Sequence, residues 1–207
     1  MRLPALWLTP AFLLMAAMLQ AGDRLIFTKS FPGSRPAYVA ISIEADGAAE
    51  YKEDPKDENP VVFRLTEAEK AAMFDLAGKL DHFSKPLESG LKIANMGKKT
   101  FRWEGEGGPK EESFNYSESV DARSLLDWFE NISQTERTFI ELEHAVRFDK
   151  LGVNLAVLHL ETTRDQKHLV AAEQFLPLLD KITGDEGIMH MARSRAAALA
   201  EGIRAGK

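Results

Sequence analysis

The sequence predicts an α+β fold, with a small antiparallel sheet and covering helices followed by an all-α C-terminal helical unit. Short alternating apolar segments occupy the first part of the chain. The connections between them are too short for the crossovers that parallel strands require. After Asn131 the apolar spacing becomes helical throughout.

The predicted organisation has four parts: a signal peptide at 1–22, a linker at 23–36, an α+β domain at 37–132 and a helical unit at 133–207. The linker is predicted because residues 24–36 show no clear period and contain prolines and a glycine. Residues 23–132 carry 21 acidic and 15 basic side chains, whereas residues 133–207 carry 11 and 10. This charge difference favours a boundary near Asn131.

The first 22 residues have the order of a secretory signal: Arg2, a mostly apolar run, then small residues before Asp23. Prolines interrupt the apolar run, whereas a spanning helix needs about 20 consecutive apolar residues. The sequence therefore predicts an exported protein, periplasmic or secreted, with no membrane span after signal removal. Leu19-Gln20-Ala21 is a poor cleavage sequence. The exact site therefore stays open, and so does the alternative of anchoring by an uncleaved N-terminal helix.

In the α+β part, residues 38–44 and 48–52 alternate around Asp46-Gly47, a dipeptide typical of tight hairpin turns. A third strand is expected at 61–65. Thr66 and Glu69 then have the spacing of a capping box, which predicts a helix running to about Leu80.

Two further strands and a short helix complete the predicted α+β part. The strands are expected at 99–104 and 112–116, with Gly105-Glu-Gly-Gly-Pro109 as the loop between them. The helix is expected at 121–130. Along the first of these strands, Phe101 and Trp103 share one face, which indicates an ordinary core face beneath a helix.

The helical unit is predicted to contain three helices. Ser133 and Glu136 have the spacing of a second capping box, and an apolar stripe from Phe139 continues to Leu160, with an interruption at Gly152. A second helix is expected at 166–181, kinked or divided by Pro177. Gly184 is expected to end it, and Asp185 to begin the third helix.

Composition excludes several kinds of chemistry. The chain has no cysteine, so it has no thiol nucleophile, disulfide or thiolate metal site. Its formal net charge is −6, which makes nucleic acid a poor partner. The strongest basic cluster is interpreted as a solvated strand face; its members are Lys92, Lys98, Lys99 and Arg102.

No residue pattern predicts a catalytic, cofactor or metal site, so the catalytic residues are unknown. The five histidines lack the spacing of a helical metal motif; they are His82, His144, His159, His168 and His190. Met189-His190-Met191 is interpreted as ordinary helix sequence with methionine in the core. The acidic loop at 54–59 lacks the order of a calcium loop and is expected to be solvated.

The sequence favours a non-enzymatic interaction or envelope-associated protein whose partner is a protein or an envelope component, with no cofactor. The helical unit is the expected contact surface. Two alternatives stay open: an exported hydrolase with an unrecognised site, and a small-ligand or protease-inhibitor type of binding module. The oligomeric state is not predicted.

Two segments carry a resemblance, Asp149-Lys-Leu-Gly-Val-Asn-Leu-Ala and Glu173-Gln-Phe-Leu-Pro-Leu-Leu-Asp. With the sheet part before them, the chain resembles uncharacterised exported bacterial proteins. This resemblance implies export but no activity, and no functional residue is carried over from it.

Overall fold

The computed structural model describes residues 22–206. The predicted signal peptide, its cleavage site and the alternative N-terminal anchor all fall on residues 1–22, of which 1–21 lie outside the described residues. Between residues 22 and 206, no helix is both long and apolar enough to cross a membrane.

The α+β prediction is confirmed: six strands form one antiparallel sheet in the order β4-β3-β2-β1-β5-β6. The predicted hairpin is formed by β2 and β3, and β4, β5 and β6 lie within two residues of the strands expected from sequence. The strands are β1 Arg24–Ser30, β2 Tyr38–Glu44, β3 Ala48–Lys52, β4 Val61–Arg64, β5 Lys98–Glu104 and β6 Lys110–Phe114.

The linker prediction for residues 23–36 is wrong, because β1 lies at the centre of the sheet. Its full length pairs with β2 on one side and β5 on the other. Only the following loop is irregular, and it is fixed by a hydrogen bond from the Phe31 amide to the Ala37 carbonyl, 2.9 Å. Leu25 and Phe27 are fully buried, so β1 supplies core side chains that a linker would not contain.

One face of the sheet packs against α1 and α2. Phe27 stacks on Phe129 of α2 with ring centroids 4.7 Å apart, and Phe101 lies 5.2 Å from Phe83. As predicted, Phe101 and Trp103 are buried on this face. The aromatic side chains therefore fill the core between sheet and helices rather than form an exposed binding face.

The described residues form five α-helices. They are α1 Glu67–Lys79, α2 Val120–Phe148, α3 Val153–Asp165, α4 Leu176–Gly184 and α5 His190–Arg204. The capping box before α1 is confirmed: the Glu69 amide donates to Thr66 Oγ1, and the Thr66 amide donates to Glu69 Oε2. Short 3₁₀ turns occupy Asp81–Phe83 and Ala172–Phe175.

The second predicted capping box is wrong, because Ser133 and Glu136 lie in the middle of α2. The Ser133 hydroxyl donates to the Phe129 carbonyl, 2.9 Å, and so bonds within the helix rather than capping a new one. Ile132 and Thr135 are fully buried here. Burial on both sides of the expected break therefore keeps the helix continuous.

The predicted bounds of the last two helices are also wrong. The chain is non-helical from Lys167 to Ala171, and both of these residues have positive φ angles. Pro177 lies in the first turn of α4, where a proline needs no amide partner. The last helix, α5, begins at His190 rather than Asp185, because Asp185 Oδ1 accepts from the Gly187 amide in a turn.

Two hydrophobic cores lie along α2. The first contains the sheet side chains with Leu125, Phe129 and Ile132, and the second begins at Leu142 and includes α3, α4 and α5. The predicted boundary at 132/133 therefore falls inside one continuous helix, and along that helix the change of core lies between Ile132 and Leu142.

The position of β1 gives a direct test. Phe27→Ala should lower the free energy of unfolding by about 4 kcal/mol, because it removes a fully buried aromatic side chain. Thr28→Ala, one residue along on the opposite sheet face, should cost about 1 kcal/mol or less. Urea denaturation of both variants measures the difference. Equal, small losses would contradict the central placement of β1.

Candidate functional site

Four exposed apolar side chains of the helical part lie around the α2–α3 connection. Phe148 is 75% exposed and Leu151 is 83% exposed, and Leu155 and Leu158 are also exposed. Leu151 lies in the turn before α3, and Leu155 and Leu158 have the i, i+3 spacing of one face of α3. We call these four side chains the α2–α3 apolar surface.

The short turn between α2 and α3 positions this surface. Asp149 leaves the helix, and its Oδ1 accepts from the Gly152 amide, 3.0 Å. A side chain at Gly152 would collide with the Asp149 carboxylate, which would then have to move from its present position. The turn brings α3 back alongside α2, and His159 Nδ1 lies 3.0 Å from Glu141 Oε1.

The core sides of the two helices leave the apolar surface facing outwards. Leu142, Ala145 and Val146 of α2 are buried in the second core, as are Val157 and Leu160 of α3. On each helix the other side faces solvent, and Phe148 and Leu155 lie there. The surface is therefore a consequence of helical register and not of local unfolding.

A second turn lies at the same end of the helical part. Lys150 Nζ pairs with Asp185 Oδ2 at 2.7 Å, which places the α4–α5 turn beside the α2–α3 turn. Met189 and Met191 follow that turn and are about half exposed. They are solvent-facing, in contrast to the core position expected from sequence, and they extend the apolar character of this end.

The rim of the apolar surface carries charges of both signs. Arg147 pairs with Glu143 at 2.7 Å, and Lys150 is paired with Asp185 as described. His144 lies beside Phe148, with ring centroids 5.2 Å apart. An apolar centre with a paired, polar rim is the usual composition of a protein–protein contact surface.

A buried carboxyl group lies further back on α2. Glu136 is completely buried, and its Oε1 accepts from Gln174 Nε2 at 2.9 Å. Within residues 22–206, Glu136 Oε2 and Gln174 Oε1 have no hydrogen-bond partner. Burial raises the pKa of Glu136 to about 7. Neither of the clefts that open beside the middle of α2 is lined by Glu136, so no substrate path reaches it there.

The histidines are spread over the molecule. His82 packs on Trp103, with ring centroids 4.3 Å apart, His168 Nδ1 lies 3.2 Å from Gln134 Oε1, and His190 begins α5. His144 and His159 lie at the apolar surface. In the part of the chain that the structure describes, no group of three or more His, Asp and Glu side chains could hold a metal ion.

The basic cluster suggested by sequence is not one surface. Lys99 is buried on the core side of β5, and its ammonium donates to the Asn115 carbonyl at 2.7 Å. Burial lowers the pKa of this lysine. Arg102 lies on the opposite face and pairs with Glu104 and Glu111. The strand therefore separates these cations.

The two aspartate carboxylates of the acidic loop at 54–59 accept hydrogen bonds from backbone amides of the same loop. Asp54 Oδ1 accepts from the Lys56 amide and Asp57 Oδ1 from the Asn59 amide, at 2.8 and 2.9 Å. These side chains form local turns of a kind typical of aspartate.

Comparison with known proteins gives no relative: no protein-family model matches the sequence, and no curated protein matches it. The apolar surface is the feature that sequence reasoning found only in part. The apolar stripe predicted from Phe139 to Leu160 includes Leu151, Leu155 and Leu158, and these three side chains are exposed.

The pKa of Glu136 predicts a pH-dependent stability. The folded-state pKa, about 7, lies above the ordinary value of 4.5, so the contribution of Glu136 to stability is fully present below pH 4.5 and is lost as the pH rises through 7. Between pH 5 and pH 8, ionisation of this group should lower the free energy of unfolding by about 2 kcal/mol.

Glu136→Gln should remove that dependence and be more stable than the wild type at pH 8, because a neutral amide replaces the buried charge. Urea denaturation at pH 5 and pH 8 measures this. Glu201→Gln, an exposed carboxylate on α5, is the control and should leave the wild-type pH dependence unchanged. An unchanged slope in Glu136→Gln would contradict the assignment.

Proposed function

We propose that this chain is an exported, non-enzymatic interaction protein that contacts a partner protein through the α2–α3 apolar surface. The observation that supports the proposal is the exposure of four large apolar side chains at the end of α2, in the turn that follows and on α3. Single exposed apolar residues are common, whereas clustered ones indicate a contact surface.

The exposed side chains of this surface leave burial free energy unused within the chain. Burying one leucine or phenylalanine side chain stabilises a protein by about 1.5–3 kcal/mol relative to leaving it in water. Phe148 and Leu151 retain most of their exposure, so little of this stabilisation is realised within the chain. A partner that covers the surface would realise it as binding free energy.

The charges near this surface favour a protein over a membrane as the partner. Helices that lie in a membrane interface carry lysine and arginine on their polar face. Here Glu141, Glu143 and Asp149 accompany Arg147 and Lys150, and several of these groups already form ion pairs. The mixture suits a partner with its own paired polar rim.

An enzymatic role has less support. Catalytic acids and bases combine a shifted pKa with access to a substrate. Glu136 has the shifted pKa, but it lies between the two cores and bonds to Gln174. Its environment is that of a structural buried carboxyl group.

Export is the second part of the proposal and rests on residues 1–22. Their order, a basic residue, an apolar run and small residues, is that of a secretory signal. The central strand β1 begins at Arg24, so removal of residues 1–22 leaves every described strand and helix complete.

Photo-crosslinking in the source organism tests the contact surface. A p-benzoyl-phenylalanine group at position 151 or 155 should yield a discrete adduct with another protein, because these positions lie in the proposed contact. The matched control is position 62. Val62 is 69% exposed, but it lies on strand β4 and not in the helical part. Adducts from position 62 alone, or none from 151 and 155, would refute the proposal.

Stability measurements keep this test interpretable. Leu151→Ser should change the free energy of unfolding by about 0.5 kcal/mol or less, because the side chain is mostly exposed. Leu160→Ala, on the buried face of α3, should lower the free energy of unfolding by about 3 kcal/mol. Loss of the adduct from position 155 in the Leu151→Ser variant, with unchanged stability, would then report the contact itself.

Intact-mass analysis tests export. Expressed in an export-competent bacterial host, the purified chain should begin at or near Asp23. Leu14→Arg, which places a charge in the apolar run, should abolish processing, whereas Arg2→Lys should preserve it. A full-length mass in the membrane fraction would instead establish the N-terminal anchor.

A further inference from the structure

A cleft opens where the end of β1, the loop after it and the middle of α2 meet. Its volume is about 470 Å³, which lies within the usual range for small-molecule sites. Its lining includes Lys29, Phe31, Arg35, Pro36 and Arg137. We call this the α2 cleft, and it lies apart from the α2–α3 apolar surface.

The inner part of the α2 cleft is apolar. Phe27 and Val39 line it but are buried members of the first core. Phe31 and Pro36, from the loop between β1 and β2, also line the cleft and are partly exposed. These two side chains offer an apolar contact to a chain or ring that enters from solvent.

The outer part carries an excess of positive charge. Lys29, Arg35 and Arg137 line the cleft with a single acid, Glu130, which pairs with Lys29 at 3.1 Å. Among residues 22–206, Arg35 forms no ion pair, and the carboxylate nearest to Arg137 is Glu53 at 3.9 Å. Within the described residues, the guanidinium of Arg35 is therefore without an ion pair and that of Arg137 has one long ion pair, in a protein whose net charge is −6.

Hydrogen bonds hold the loop that carries Arg35. The Ser34 hydroxyl donates to the Phe31 carbonyl at 2.7 Å, and the Ser34 amide donates to the same carbonyl at 3.0 Å. With the Phe31–Ala37 bond described above, they fix the backbone on both sides of Arg35. A fixed loop reduces the ordering cost of binding.

We propose that the α2 cleft binds a small amphipathic anion. Its carboxylate or phosphate head lies against Arg35 and Arg137, whose planar guanidinium groups donate paired hydrogen bonds to such oxygens. Its apolar chain or ring lies against Phe31 and Pro36. This adds a ligand to the proposed interaction protein and does not depend on the partner contact.

The neighbouring cleft does not share this chemistry. It has a volume of about 410 Å³ and is lined by Lys99 and Arg123, together with Asp127 and Glu130. The Lys99 ammonium is already occupied by the Asn115 carbonyl. Its cations and acids balance, so the anion preference belongs to the α2 cleft.

Calorimetric titration of the purified chain with decanoate, kept at monomeric concentrations, tests the proposal. Decanoate should bind, whereas decylammonium, with the same chain and opposite charge, should bind at least about tenfold more weakly. Acetate and inorganic phosphate, which lack the chain, should also bind at least about tenfold more weakly, because they forgo the apolar contact.

The double variant Arg35→Gln/Arg137→Gln should weaken decanoate binding by about tenfold or more, since each charged hydrogen bond is lost. Arg147→Gln is the matched control: Arg147 lies on α2 with similar exposure but pairs with Glu143 outside the cleft. It should bind decanoate as the wild type does. An unfolded variant would be recognised by urea denaturation, in which case the single changes are used instead.

Several outcomes would overturn the proposal. Decanoate binding that survives the double variant would place the ligand elsewhere, and equal binding of phosphate and decanoate would remove the amphipathic requirement. Association with phosphatidylglycerol vesicles without binding of monomeric decanoate would assign the cations to a membrane surface. The expected result is the opposite: the double variant loses decanoate binding but keeps crosslinking at position 151, which would separate this site from the partner contact.

Discussion

The arrangement of the two cores depends on Thr135, a buried threonine in the middle of α2. Its hydroxyl donates to the His168 carbonyl at 3.2 Å and accepts from the Val170 amide at 3.1 Å. One side chain thereby satisfies two polar groups of a non-helical segment that passes between the cores. Glu69 adds a third bond, accepting from the Ala171 amide at 3.0 Å. These contacts tie the capping box of α1, the centre of α2 and the chain before α4 into one unit.

Because α2 runs unbroken past this point, it positions both proposed contact sites. Its middle turns line the α2 cleft through Glu130 and Arg137, and its last turn presents Phe148 to solvent. The polar sheet face is different: Arg24 and Arg102 lie there, and both are paired with glutamates of neighbouring strands. Both proposed contact sites therefore include side chains of one helix, α2.

Local patterns predicted local structure well in this chain. The Asp46-Gly47 hairpin and the Thr66 cap depend on a few neighbouring residues, and both form as expected. The misassigned segments depend on distant residues. Whether 24–30 is a strand is decided by β5, about 75 residues later, and Ser133 fails to begin a helix because Ile132 and Thr135 are buried. The α2 cleft joins residues from the loop after β1 to α2, so no short motif could have revealed it.

The place of β1 in the sheet also constrains how the chain folds. Its pairing with β2 is local, but its other edge pairs Arg24 with Glu104 and Ser30 with Lys98. That edge, with Leu25 and Phe27 beside it, has no partner until β5 has been synthesised. Non-local strand pairing slows folding, and an unpaired apolar edge favours aggregation meanwhile. A nascent chain of this sequence thus has its greatest need for a holding chaperone before residue 104 emerges.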